Sequence, residues 1–225
     1  GLAADARLHL QALFQQRLRR GNTPGAAQAA RAYAEVDPAD PAGRHESARM
    51  FADLGDDAGA AAQWRAAGET FLGAGRLGDA VRCWKAAIEQ HPGDEASRDM
   101  LVKALVEAGD ADAAREAARS GAQWRAVAAG MVRAGRDREA LDALEQALAA
   151  DPGDIEARVH LARTAMARQE LARARDTLAP VASAADPAVQ FALAEVEFRT
   201  GDFEAGRGAL RRCLASRDDL VAPAI

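Results

Sequence analysis

The sequence predicts an all-α protein built as a solenoid of helix-turn-helix repeats, and three observations carry this prediction. Residues 61–94 and 121–154 are each 34 residues long and align without a gap. About a quarter of the chain is alanine, and no segment alternates like a β-branched strand. Both aligned segments end in Pro-Gly-Asp, and proline stops a helix because it cannot donate the next backbone hydrogen bond. A period of this length is typical of stacked helical repeats.

The two aligned segments also share their internal pattern. Both contain Ala-Gln-Trp-Arg-Ala near the start and Ala-Gly-Arg in the middle. Large apolar residues three, four and seven positions apart form one helix face that needs a partner. Small residues stand where two helices must approach closely: Gly68, Ala80, Ala128 and Ala140. Each segment therefore predicts a pair of helices packed through small side chains.

This pattern resembles the tetratricopeptide family, whose repeat reads W-x2-L-G-x2-Y, then A-x3-F, then P. The first segment supplies Trp64, Gly68, Phe71, Ala80, Trp84, Ala87 and Pro92. The second supplies Trp124, Ala128, Met131, Ala140, Leu144, Ala147 and Pro152. An alanine and a methionine replace the usual glycine and aromatic residue in this second copy. The resemblance implies a tetratricopeptide-like α-solenoid of about six to seven repeats.

The same register, extended outwards, divides most of the chain into repeats of decreasing fidelity. The predicted boundaries are 7–40, 41–60, 61–94, 95–120, 121–154, 155–186 and 187–220. The repeat at 95–120 has a second helix about eight residues short. In 155–186, Pro180 falls inside the expected second helix and should shorten or kink it. In 187–220, Gly206 stands where alanine is usual.

Residues 41–60 are too few for two full helices before the next repeat begins. Either residues 57–72 form one long helix shared by two repeats, or three helices pack where four are expected. We favour the shared helix. The repeats are expected to form a single domain over 1–225 that is part of a longer protein, because the chain begins at Gly1 and is apolar from Leu220 onwards, where a solenoid normally has a polar cap.

Composition and charge argue against several function classes. The net charge of −5 does not suit a nucleic-acid-binding domain, which is usually basic. No apolar run is long enough to cross a membrane, and no secretory signal is present. We therefore predict a cytoplasmic protein without membrane insertion; a periplasmic location after removal of a signal stays open.

No motif predicts catalysis, a cofactor or a metal. Residues 73–78 satisfy G-x-G-x-x-G, but a helix precedes them, whereas a dinucleotide site needs a strand there. His45 and Glu46 begin like a zinc-protease helix, but Arg49 occupies the place of the second histidine. We therefore expect no catalytic residue, no cofactor and no metal site, and the chain is not expected to be an enzyme.

The resemblance also implies a binding surface, because the first helices of tetratricopeptide repeats line a concave groove that holds a partner segment. Carried over by register, the candidate groove residues are Arg49, Arg65, Lys103, Arg125, Arg133, Arg163, Phe191 and Phe198. Cations predominate, and guanidinium groups suit carboxylates. We therefore expect a protein or peptide partner with an acidic segment. The alternative is that these arginines are ordinary solvated residues, or pair with Asp and Glu of the neighbouring repeat.

The sequence favours a protein–protein interaction scaffold. The chain uses arginine in place of almost all lysine, the exceptions being Lys85 and Lys103, which suggests a GC-rich bacterial genome. We expect the scaffold to act within a bacterial secretion, pilus, motility or signalling assembly. The asparagines of a chaperone-binding clamp are missing, since Asn22 stands alone in a turn. The alternative function is a structural self-assembly module without a foreign ligand, and the sequence leaves the oligomeric state open.

Overall fold

The computed structural model describes residues 1–218, and their side chains as far as residue 215. Over this range the chain forms thirteen α-helices and no strand, which confirms the all-α prediction. The helices are α1 Leu2–Arg19, α2 Thr23–Glu35, α3 Pro41–Asp53, α4 Asp57–Gly73, α5 Leu77–Gln90, α6 Glu95–Glu107, α7 Ala111–Ala117, α8 Gly121–Arg133, α9 Asp137–Ala150, α10 Ile155–Ala167, α11 Leu171–Leu178, α12 Pro187–Thr200 and α13 Phe203–Asp218.

The helices group into two compact units, one from Gly1 to Ala108 and one that begins at Gly109. In the first unit α1 packs against α2, α2 against α3, and α5 against both α4 and α6. In the second unit α8 packs against α9, α9 against α10, α10 against α11, and α12 against α13. Each helix therefore packs mainly against its neighbours in sequence, as in other repeat proteins. A single domain over the whole chain stays a prediction.

The segment after α3 is one helix, as we favoured from the sequence. Helix α4 runs for 17 residues from Asp57 to Gly73 and packs against both α3 and α5. Its first turn is capped by Asp56, whose Oδ1 accepts a hydrogen bond of 2.8 Å from the Gly59 N–H. Three helices, α3 to α5, thus occupy the part of the chain where two regular repeats would have four.

The two shortened helices are also confirmed. Helix α7 has seven residues, half the length of α5 and α9. Helix α11 has eight residues and ends at Leu178. A single 3₁₀ turn, Ala179–Val181, follows it and contains Pro180. The proline therefore ends the second helix early instead of kinking it, because it has no N–H to continue the helical hydrogen bonds.

Close helix contacts explain why two positions are glycine. A Cβ added at Gly68 of α4 would lie 2.5 Å from the indole nitrogen of Trp84, which is fully buried on α5. In the second aligned copy the corresponding pair is Ala128 and the smaller Leu144, so the volumes are matched in both copies. A Cβ at Gly206 would likewise lie 2.7 Å from the ring of Phe198. This contact accounts for the glycine at a position where the repeat pattern has alanine.

The turns between the paired helices share one backbone conformation. Six glycines hold a positive φ there, between 67° and 85°: Gly21, Gly55, Gly75, Gly109, Gly135 and Gly201. The turn between α10 and α11 has Gln169 instead, with φ 64°, and this is the one non-glycine residue among residues 1–218 with a positive φ. A side chain in this left-handed region crowds the backbone. Gln169 is therefore a point of local strain.

We predict that Gln169→Gly raises the free energy of unfolding by about 1 kcal/mol, because it removes the strain at the cost of some unfolded-state entropy. Urea unfolding followed by circular dichroism measures the change. Gly135→Gln places the same side chain in the equivalent turn of α8 and α9 and should lower the free energy of unfolding. Equal stability of all three proteins would show that these turns carry no such strain.

Candidate functional site

The eight predicted groove residues all lie on first helices of the repeats, but they belong to two units. In the first unit are Arg49 on α3, Arg65 on α4 and Lys103 on α6. In the second unit are Arg125 and Arg133 on α8, Arg163 on α10, and Phe191 and Phe198 on α12. The eight residues therefore form two sets, one in each unit, and of these Arg133 and Arg163 line a common cavity.

Arg65 forms an ion pair with Asp94, the residue that caps α6. Its Nη1 donates to Oδ1 of Asp94 over 2.7 Å. Asp94 caps the start of α6 and is 7% exposed, and it also accepts hydrogen bonds from the Ser97 N–H at 3.2 Å and the Ser97 hydroxyl at 2.6 Å. Arg65 thus pairs with the last residue of its own repeat, 61–94, which caps the first helix of the next repeat.

The environment of Asp94 favours its charged form. Burial alone would raise the pKa of Asp94, but the hydrogen bonds from Ser97 and the charge and hydrogen bond of Arg65 outweigh it and hold the pKa below its usual value. The carboxylate therefore stays ionised well into the acid range, and both the cap and the ion pair persist there.

Arg125 repeats this arrangement in the second unit. Its Nε lies 2.9 Å from Oδ2 of Asp154, which caps α10 and accepts from the Ala157 N–H at 2.9 Å. The guanidinium also contacts Glu156. Arg7 of α1 pairs in the same way with Asp40, the cap of α3. We call these three ion pairs, Arg7–Asp40, Arg65–Asp94 and Arg125–Asp154, the arginine–cap pairs.

The remaining predicted cations are more exposed. Arg49 lies 3.5 Å from Glu46 on the same helix, and its side chain is 69% exposed. Lys103 is exposed on α6, and Arg133 is exposed at the end of α8. Arg163 is exposed on α10 and forms no ion pair within the described part of the chain. Arg163 is consequently the predicted arginine that is best placed to meet a partner.

A cavity of about 270 Å³ opens beside Arg163 in the second unit. It lies where α8, α9 and α10 meet, and we call it the α8–α10 cavity. Apolar side chains line part of it: Ala128, Ala129, Val132 and Leu144. Polar and charged side chains line the rest: Arg133, His160, Arg163 and Thr164. Its lining, which lies wholly within the described residues, includes no carboxylate.

His160 adds an uncharged polar group to the lining of this cavity. Burial lowers its pKa, and the positive charges of Arg163 and Arg125 lower it further against the opposing effect of Asp154. The imidazole is therefore neutral at neutral pH and can donate one hydrogen bond and accept another. No sequence pattern singles out His160, although it lies about one helical turn before Arg163.

The two predicted aromatic residues lie on the outside of the second unit. Phe191 and Phe198 of α12 are 49% and 36% exposed. The Phe198 ring centroid is 6.4 Å from that of Phe203 on α13, which is itself 61% exposed. Sequence reasoning missed Phe203, because the repeat pattern assigns no binding role to the start of a second helix.

Comparisons with known proteins agree with this fold. Two tetratricopeptide repeat family models match the chain, one over residues 65–127 and the other over residues 131–190, and together they span more than half of it. The chain belongs to the tetratricopeptide repeat family. The family match and the helical structure confirm the predicted fold class. No curated protein matches the chain in sequence.

Two solved structures illustrate the fold of this tetratricopeptide repeat protein. One is YrrB, a TPR protein with an unusual peptide-binding site; it is 15% identical, with 86% of this chain and 95% of that chain covered and a TM-score of 0.54. The other is the C-terminal part of a TPR repeat-containing protein from Cytophaga hutchinsonii, 12% identical, with 93% and 94% covered and a TM-score of 0.52. At these identities the likeness shows the fold alone.

Residues 1–218 contain no candidate membrane-spanning helix and no candidate metal cluster. No helix there has both the length and the apolar character that a membrane crossing requires. No three histidine, cysteine, aspartate or glutamate side chains come together there in a way that could hold a metal ion.

We predict that the arginine–cap pairs make the first unit sensitive to acid. The pKa of Asp94 is depressed in the folded chain, so its stabilising effect is complete above the unfolded value near 4 and is lost as the pH falls through the folded value. Asparagine also caps helices, so Asp94→Asn removes mainly the charge. Urea unfolding between about pH 7 and 2 should show a smaller loss of stability for Asp94→Asn than for the wild type.

Asp53→Asn is the matched control for this experiment, because Asp53 is exposed at the end of α3 and caps no helix. Its stability should follow that of the wild type at every pH. An Asp94→Asn protein with an unchanged acid slope would mean that the Asp94 charge does not stabilise the unit.

Proposed function

We propose that this chain is a protein–protein interaction scaffold that binds an acidic segment of a partner protein at the α8–α10 cavity. The tetratricopeptide fold supports a scaffold in general terms. The single observation that carries the finer proposal is the cavity itself, in which an apolar wall adjoins the exposed Arg163 and no carboxylate is among the lining residues. A partner carboxylate would supply the negative charge that this lining lacks.

The chemistry of the cavity specifies the partner segment further. An arginine fork binds a carboxylate through two parallel hydrogen bonds, and each such bond contributes about 1.5–3 kcal/mol where water is excluded and much less at an open rim. The apolar wall of Ala128, Ala129, Val132 and Leu144 suits a small aliphatic side chain. We therefore expect an Asp or Glu beside an aliphatic residue in the bound segment.

The other candidate residues have different roles in this proposal. Arg125 holds α8 to the start of α10 through Asp154 and so positions the two walls of the cavity. In the first unit, Arg65 holds α4 to the start of α6 through Asp94. In the second unit, Phe191 and Phe198 are proposed to extend the surface that the partner meets. In the first unit, Arg49 and Lys103 are exposed enough to take part in binding of their own.

The biological setting stays a prediction. Tetratricopeptide repeat proteins are generally non-enzymatic scaffolds, and we propose that this chain binds without catalysing a reaction. A bacterial secretion, pilus, motility or signalling assembly and a cytoplasmic location are carried forward as hypotheses. Self-assembly stays the alternative, favoured by the exposed Phe198 and Phe203 rings.

Affinity capture from the source cell, followed by calorimetry with the acidic segment of the recovered partner, tests the proposal. Arg163→Glu should weaken binding at least tenfold, about 1.4 kcal/mol, because it puts a negative charge beside the partner's carboxylate. Its melting temperature should stay nearly unchanged, since Arg163 forms no ion pair with the described residues. Added salt should weaken wild-type binding more than that of the variant.

Arg138→Glu is the matched control, because Arg138 is exposed on α9, lies outside the cavity lining and undergoes the same charge change. It should bind as the wild type does. Arg125→Glu should instead lower the melting temperature, because it places a third carboxylate beside Asp154 and Glu156. Normal binding by Arg163→Glu would rule out the cavity as the recognition site. Recovery of this chain alone would favour self-assembly.

A further inference from the structure

A second cavity lies in the first unit, where α3, α4 and α5 meet. Its volume is about 310 Å³. His45 of α3, Trp64 and Phe71 of α4, and Asp79, Arg82, Cys83 and Ala86 of α5 line it. This is the part of the chain in which one helix, α4, takes the place of two. We call it the three-helix cavity.

Aromatic rings form much of its wall. The His45 and Trp64 ring centroids are 4.3 Å apart, with their planes tilted by 43°. The guanidinium carbon of Arg76 lies 4.6 Å from the centroid of Phe71. Aromatic rings attract further rings in offset or edge-to-face contacts, and such pairs stabilise beyond the area that they bury. The wall is thus suited to a planar aromatic group.

The charged groups at the cavity leave a positive excess. Asp79 accepts a hydrogen bond of 2.6 Å from Arg76 and also contacts Arg82. Its side chain is 17% exposed, whereas those of Arg76 and Arg82 are 59% and 77% exposed. Two guanidinium groups therefore share one carboxylate. The exposed side of Arg82 can bind a second carboxylate.

We propose that the three-helix cavity is a docking site for a partner polypeptide, which inserts one aromatic side chain and places an adjacent Asp or Glu on Arg82. A volume of about 310 Å³ lies at the lower end of the range for ligand cavities, roughly 300–1,000 Å³, and accommodates one aromatic side chain. The proposal goes beyond the site in the second unit and shares no residue with it.

The chain contains its own comparison for this cavity. In the gap-free alignment of the two copies, Trp64 corresponds to Trp124, Phe71 to Met131 and Arg82 to Asp142. The second copy thus keeps the tryptophan but replaces the second aromatic residue and reverses the charge. An aromatic residue beside a carboxylate should therefore bind near Trp64 and not near Trp124.

Nuclear magnetic resonance of the whole chain can test this. The three tryptophans give three indole N–H signals, which single Trp→Phe variants assign. The probes are the capped tetrapeptides Gly-Phe-Asp-Gly, Gly-Leu-Asp-Gly, Gly-Phe-Asn-Gly and Gly-Phe-Lys-Gly. The Phe-Asp peptide should shift the Trp64 signal far more than the Trp124 signal. Its affinity, measured from the Trp64 shift, should be at least threefold above that of each other peptide.

Two variants and two controls locate the effect. Arg82→Gln should lower the affinity for Phe-Asp to that of the wild type for Phe-Asn, whereas Lys85→Gln, an equal charge change on the exposed side of α5, should not. Ala86→Leu should fill the cavity and abolish the Trp64 shift, with circular dichroism to check folding. Arg163→Glu should leave the affinities read from the Trp64 signal as they are in the wild type, because Arg163 lines the other cavity, so this proposal and the proposed function can fail separately.

Three results would overturn the inference. Equal affinity for Phe-Asp and Leu-Asp would exclude an aromatic occupant. Equal affinity for Phe-Asp, Phe-Asn and Phe-Lys, or an Arg82→Gln protein that binds normally, would exclude the carboxylate on Arg82. Equal shifts at Trp64 and Trp124 would show that the peptides do not select the three-helix cavity.

Discussion

Close approach of short helices through alanine and glycine is the constraint on which this structure depends. Ten of the thirteen helices in the described chain have 14 residues or fewer, and isolated helices shorter than about 12–15 residues are marginal in water. Small side chains allow neighbouring helices to pack closely on a shared face. Where one helix carries a large side chain, the residue that faces it on the other helix is glycine. Trp84 over Gly68 and Phe198 over Gly206 are both cases of this exchange. The side-by-side placement of the first helices, and so every candidate binding surface, follows from it.

The arginine–cap pairs determine which arginines of these candidate surfaces are already held in ion pairs within the chain. The aspartate at the end of a repeat accepts a hydrogen bond from a backbone N–H at the start of the next helix and also pairs with an arginine of its own repeat, as Asp94 does for α6 and Arg65. Arginines that have such an aspartate within reach become part of the framework. Arg163 has none and faces a cavity with an apolar wall, which gives it a different role from Arg125 on the adjacent first helix.

Periodicity predicted the helices well because it reports local structure. The 34-residue register, Pro180 and the short 41–60 segment led to the shared and shortened helices that the structure contains. The pairing of Arg125 with Asp154 depends on side chains 29 positions apart, as does that of Arg65 with Asp94, and a helical pattern does not rank such contacts. The recurring spacing was nevertheless visible in both copies. The two cavities depend on where packed side chains leave space, which the repeat pattern does not predict. The left-handed conformation of Gln169 was not predicted either, because its residue type disfavours that conformation.

Helix α4 also limits how the molecule can be divided. An ordinary repeat can be gained or lost as a unit, because its two helices complete each other and stack on a neighbour. Here α4 completes α3 on one side and α5 on the other, so no break between residues 41 and 90 leaves two whole repeats. This stretch must be inherited, transplanted or deleted as a single block. A recombination or design boundary placed within it would expose an apolar helix face on one of the resulting fragments.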